Sequence, residues 1–269
     1  MRNINYLLLI PLFIIGCGNK PNSQDPIPNH DTFKIASKQV GETRVINIWA
    51  PPEYENNNES YPVLYMADGG IKEDFPHIAN TISKLIAEKS IPPIILVGIE
   101  NTERGRDLTG YSESEYDAQY CPLTDGAENF RAFITDELFS EIEGRYRVTN
   151  KKGLIGESLS GLFVMETFMQ NPESFDFYIA FDPSLWWNNH YLVREANTLF
   201  KTFPDREIKL WFAGSSADDI SQYTNELAAI LKNNAPNKLR WKYSDEPNEK
   251  HNTIFRATKE KALKWILKE

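Results

Sequence analysis

Cysteine is scarce: the chain has two, Cys17 and Cys121, in 269 residues. That rules out a disulfide framework and paired-thiol metal or redox motifs, so a domain of this length must be held by its core. Equally absent are an H-E-x-x-H pair, a carboxylate-rich calcium loop, a glycine-rich phosphate cradle and a dinucleotide fingerprint. No metal and no cofactor is therefore expected. Basic clusters are missing too. The net charge is -9, and the lysines are interleaved with glutamates, which leaves nothing to neutralise a phosphate backbone and argues against a nucleic-acid partner. There is no internal repeat, no low-complexity tract, and no apolar run long enough to span a bilayer as a mature helix.

What is present begins with a targeting pattern. Arg2 precedes an apolar run from Tyr6 to Ile15 that ends in Ile14-Ile15-Gly16-Cys17. This resembles the cleavage box of bacterial lipoproteins, in which the cysteine becomes the acylated first residue. The expectation is a signal peptide over 1–16, lipidation at Cys17, a flexible Pro/Asn/Ser-rich tether over 17–30 and one domain over 31–269. It also implies membrane attachment through that lipid anchor, at a cell envelope, facing either the periplasm or the surface.

The domain reads as α/β. Phe33 to Ser37 and Thr43 to Trp49 alternate apolar and polar residues around Gly41, as an antiparallel N-terminal hairpin does. Short apolar runs follow at Val63–Met66, Ile94–Ile99, Leu154–Ile155, Phe177–Phe181, Ile208–Ala213 and Leu239–Tyr243. Segments of helical period separate them: Phe75–Glu88, Gly126–Glu143, Leu159–Asn171, Asn189–Phe200, Ile220–Lys232 and a last helix through Leu267. This alternation describes a mostly parallel sheet covered by helices on both faces, with ligands beyond the carboxyl ends of the strands.

Chemistry points to one stretch, Gly156-Glu157-Ser158-Leu159-Ser160-Gly161. It joins a buried strand to a helix and is nearly the G-x-S-x-G nucleophile elbow, with Ser160 in the second glycine's place. Small neighbours let strand and helix approach while the serine hydroxyl projects, and the amide of Leu159 points to the same spot. A serine needs a base. Of four histidines, His251 alone lies in the loop after the last strand. The acid that orients it is expected at Asp218 or Asp219, just beyond Gly214. Asp182 is a poorer candidate, and Glu246 and Glu249 lie close to His251 in sequence. A second oxyanion donor is expected from the loop after Val63–Met66, at Gly69, Gly70 or Ile71.

Tyr61-Pro-Val-Leu-Tyr-Met-Ala-Asp-Gly, Gly156-Glu-Ser-Leu-Ser-Gly-Leu and Pro183-Ser-Leu-Trp-Trp occur in order, with His251 before a terminal helix. Together they resemble the putative-esterase family of α/β-hydrolases from about Phe33 onward, and most of all its siderophore-esterase branch. The resemblance implies an α/β-hydrolase fold and a serine carboxylic-ester hydrolase acting on a small-molecule ester. Ser158 would be the nucleophile, His251 the base and the Gly70 region the oxyanion loop. Trp186, Trp187 and His190 would line the cleft, and Arg104 and Arg106 would grip an acidic or catechol-type substrate. Acyl transfer on the same site and non-catalytic binding are the alternatives.

Overall fold

A computed structural model describes residues 25–268. The expected signal peptide, Cys17 and the tether as far as residue 24 lie outside the described residues.

One eight-stranded sheet runs in the order β1-β2-β4-β3-β5-β6-β7-β8. β1 (Asp31–Ala36) and β2 (Thr43–Trp49) form the antiparallel hairpin, turning at Gly41, whose φ is +70°. β2 pairs antiparallel with β4 (Ile95–Ile99), and from there every neighbour is parallel: β3 (Tyr61–Met66), β5 (Val148–Glu157), β6 (Phe177–Phe181), β7 (Ile208–Gly214) and β8 (Leu239–Asp245). The unbroken apolar runs explain the central strands. β4 and β6 are buried at every position, as strands covered on both faces must be.

Among the described residues, eight α-helical segments follow the strands: α1 (Phe75–Ala87), α2 (Arg104–Leu108), α3 (Gly126–Ala132), α4 (Phe139–Arg145), α5 (Leu159–Gln170), α6 (Trp187–Leu199), α7 (Asp218–Asn234) and α8 (Ile254–Leu267). One sheet face packs against α1 and α8 through residues such as Ile78, Ile82, Ala262 and Leu263, and the other against the remaining helices. α5 is buried along its whole length except at Gln170, so its apolar residues run all round rather than on one stripe.

Three local departures from the sequence expectations matter. The helix expected over Gly126–Glu143 is interrupted by a π-helical turn at Phe133–Leu138, between α3 and α4. The first residues of α6 are not right-handed: Asn188, Asn189 and His190 all have φ near 50°. Such conformations cost about 1–3 kcal/mol each and persist only where surroundings hold them. Here the Asn188 amide donates to Asp117 Oδ2 at 2.8 Å, and its side chain bonds to Glu113 N and Tyr111 O. Finally, residues 25–30, expected to be free tether, are docked. Asp25 pairs with Arg256 at 2.6 Å, Asn80 donates to the Pro26 carbonyl, and His30 meets the Phe75 ring edge-on at 5.5 Å.

Candidate active site

Ser158 sits between β5 and α5 with φ 60° and ψ -119°, a region that residues with a side chain rarely enter. The bonds around it force this conformation. Its amide donates to Phe181 O at 3.0 Å, and its carbonyl accepts from Leu162 N at 2.8 Å and Ser184 N at 3.2 Å. The close approach falls at Gly156, where a Cβ would lie 2.4 Å from Ser160 O, and at Gly161, where it would lie 3.0 Å from Phe181 O. Ser160 fits because its hydroxyl turns back into the elbow, accepting from Glu157 N at 2.8 Å and donating to Glu157 O at 2.9 Å.

His251 lies in the turn before α8, and its Nε2 is 3.1 Å from Ser158 Oγ although the two are 93 residues apart. Its Nδ1 is 2.9 Å from Oδ2 of Asp182. A carboxylate only accepts hydrogen bonds, so this contact places the imidazole proton on Nδ1 and leaves the Nε2 lone pair facing the serine hydroxyl. Asp182 is fully buried at the end of β6. It also accepts from Ser215 N and Ser215 Oγ, both at 2.6 Å. His251 and Asp182 share a support: Phe255, in the first turn of α8, packs 4.7 Å from Phe181, the residue before Asp182.

The carboxylate on His251, expected to be Asp218 or Asp219, is therefore corrected to Asp182. The two aspartates are exposed in the first turn of α7, where negative charge suits the helix dipole, and neither meets His251. The expected strand end was one too far along the sheet. What β7 contributes instead is Ser215, which braces the carboxylate that β6 supplies. The available signal was Asp182 directly preceding the Pro183-Ser-Leu-Trp-Trp segment. Glu246 and Glu249 are engaged elsewhere, with Lys261 and Thr253 respectively.

The oxyanion candidates separate by what their amides already do. The loop after β3 crosses β4 so closely that a Cβ on Gly69 would lie 2.2 Å from Ile99 N. Gly69 N donates to Ile99 O at 2.9 Å, and Gly70 N to Glu73 Oε2 at 2.7 Å, so neither can serve an oxyanion as the loop stands. The amides of Ile71 and of Leu159, the first residue of α5, make no hydrogen bond among the described residues.

The expected substrate-contacting residues divide in the same way. Trp186 is half-buried, its ring 5.1 Å from that of Tyr120 and 6.0 Å from Trp187, and the exposed Tyr116 and Tyr120 extend the aromatic surface outward. Trp187 is instead a core residue whose Nε1 donates to Gly110 O at 3.0 Å. His190 stacks on Tyr223 at 4.9 Å. The arginines are committed within the protein. Arg104 grips Asp68 with two bonds of 2.6 and 2.9 Å, and Arg106 pairs with Glu42 and Asp107.

Carboxylates crowd behind the elbow. Burial pushes Asp68 up, but Arg104 beside it outweighs that and holds it below its ordinary value. Burial, with the charges of Asp74 and Asp68 nearby, pushes Glu157 well up. Burial, then Asp68, raises Asp74 from the ordinary 3.8 to about 7. For an acid raised in the folded state, the stabilising contribution is complete below pH 3.8 and is lost as pH rises through about 7. Asp74 makes no side-chain capping hydrogen bond, so asparagine gives up only the attraction of Arg256 and Arg104, which burial and Asp68 outweigh. Asp74→Asn is therefore expected to raise Tm at pH 8 by about 3–8 °C, with a much smaller gain at about pH 4. Equal shifts at both pH values in differential scanning calorimetry would contradict this.

Comparison with known proteins follows the same lines. A family model described as "Putative esterase" matches residues 37–267. Ferri-bacillibactin esterase BesA of Bacillus subtilis (strain 168) is 31% identical over 185 residues; the match covers 64% of this chain and 64% of that protein, less than two thirds of its length. Apo-salmochelin esterase of Escherichia coli O6:H1 is 25% identical over 246 residues, covering 83% of this chain and 75% of that protein. Among solved structures, an IroE-like serine hydrolase from Shewanella oneidensis has a TM-score of 0.79 at 26% identity, covering 88% of this chain and 79% of its own. The BES protein from Bacillus cereus also reaches 0.79 at 26%, covering 91% and 97%. The sheet and its helices thus form the α/β-hydrolase fold.

Proposed function

Because the chain belongs to the putative-esterase family, we propose that it is a serine hydrolase that cleaves a carboxylic ester of a siderophore through an acyl-enzyme on Ser158. The observation that carries this reading is the continuous hydrogen-bonded line from Ser158 Oγ through His251 to Asp182. Ser158 Oγ attacks the ester carbonyl carbon while His251 Nε2 takes its proton, and Asp182 holds the resulting imidazolium. The amides of Leu159 and Ile71 receive the oxyanion. The bond between the carbonyl carbon and the alcohol oxygen breaks as His251 returns its proton to the departing alcohol. Water then attacks the acyl-enzyme, giving a proton to His251, and Ser158 recovers it as the carboxylic acid leaves.

The substrate class rests on the relatives' names, several of which are siderophore esterases. The aromatic surface of Trp186, Tyr120 and Tyr116 supports it, since it offers flat ring faces to an aromatic substrate. A fluorophosphonate probe followed by peptide mass analysis is expected to label Ser158, and hydrolysis of a trilactone siderophore to outpace that of nitrophenyl acetate. An unlabelled protein at neutral pH would defeat the serine-hydrolase reading. Labelling without siderophore turnover would defeat only the substrate.

A further inference from the structure

We propose that Glu73 is the positioning residue of the oxyanion loop, holding Gly70 so that the Ile71 amide is left to the reacting oxygen; this rests on the reading of Ser158 as nucleophile. Glu73 takes hold of Gly70 from both sides. Its carboxylate accepts the Gly70 amide at 2.7 Å, and its own amide donates to the Gly70 carbonyl at 2.9 Å. The second contact sets the direction of the next peptide unit. A trans peptide is planar, with its N–H opposite its C=O, so a Gly70 carbonyl held toward Glu73 turns the Ile71 N–H the other way. Without the first contact, Gly70 N would compete as a donor and the tip would be free to rotate.

The brace itself is anchored. Glu73 Oε1 accepts from Asn101 Nδ2 at 3.0 Å, and the same side-chain nitrogen lies 2.5 Å from Asp68 Oδ1. Asp68 begins the loop with φ 54° and is held by Arg104. The loop is thereby fixed at its start by the Asp68–Arg104 pair and at its tip by Glu73, with Asn101 joining the two. A Cβ on Gly70 would lie 2.9 Å from Glu73 Oε2, so a larger residue at the tip would push the Glu73 carboxylate aside. These contacts assign Arg104 to the loop's foundation, and they give Glu73 a task in an otherwise unexplained cluster of acids.

The test compares Glu73→Ala, Glu73→Met and Glu73→Gln with the parent, counting active sites by fluorophosphonate labelling. On a nitrophenyl ester, kcat per labelled site is expected to fall about 30-fold in Glu73→Ala, with KM within about twofold, because a misplaced donor is lost only in the transition state. The inhibition constant of an arylboronic acid, which forms a tetrahedral adduct on the serine, should rise by a similar factor. Glu73→Gln keeps an acceptor for Gly70 N and should fall between the two. Glu73→Met fills the space without an acceptor and should match alanine, which serves if the alanine variant does not fold. A purely structural role would lower Tm and the labelled fraction while kcat per site and boronate binding stayed at parent level, and that result overturns the proposal. A parent that neither labels nor turns over defeats the functional reading itself, and this inference with it.

Discussion

Ser158→Ala is expected to lower kcat for a nitrophenyl ester by about 10⁵–10⁶, leaving only what binding and the oxyanion donors supply. The effect is separable from folding. Among the described residues, the Ser158 hydroxyl bonds to one side chain, His251, and alanine keeps the backbone bonds to Phe181, Leu162 and Ser184 that hold the elbow. Circular dichroism and Tm should therefore stay within experimental scatter of the parent. Turnover above about one part in a thousand of the parent rate would mean that another group attacks the ester.

Asp182→Asn ranks second, with an expected loss of about 10⁴ in kcat. The amide can donate toward His251 Nδ1, which favours the tautomer with the proton on Nε2. The lone pair that should face Ser158 Oγ is then gone. Asparagine is the informative replacement because Asp182 is fully buried and accepts from Ser215 N and Oγ. Alanine would leave those donors unpaired and confuse chemistry with stability. Asp218→Asn and Asp219→Asn, exposed in the first turn of α7, should each stay within about twofold of the parent. Steady-state kinetics on the three variants decides the matter: activity of Asp182→Asn within tenfold of the parent would return the acid role to another carboxylate.

The sheet was legible because its central strands contain apolar runs bounded by breakers. Ile95–Ile99 and Phe177–Phe181 could not be amphipathic helices at that length. The elbow was legible for a different reason: few residue types tolerate so tight a turn, so Gly156, Ser158 and Gly161 leave a trace. The acid left less of one. Any aspartate at a strand end looks alike in sequence, and only pairing β6 beside β5 brings Asp182 within reach of the imidazole. Amide availability was harder still. Gly69, Gly70 and Ile71 are equal candidates until each backbone hydrogen bond is assigned, which turns on Ile99 and Glu73. The arginines misled because an exposed-looking loop hid acidic partners, the part-buried Asp68 for Arg104 and the buried Asp107 for Arg106. The left-handed turn at Asn188–His190 follows from contacts with Asp117, Glu113 and Tyr111, all distant in sequence.

The sheet order carries a consequence for durability. Ser158 and Asp182 stand on β5 and β6, well inside the sheet, whereas His251 hangs beyond β8, which has a neighbour on one side only. Segments with more exposed backbone hydrogen bonds and fewer buried contacts open at a smaller free-energy cost than core strands. On the proposed mechanism, warming would loosen the His251 turn while Ser158 was still seated, and the lifetime of activity would be set by how firmly that outermost ribbon is stitched down.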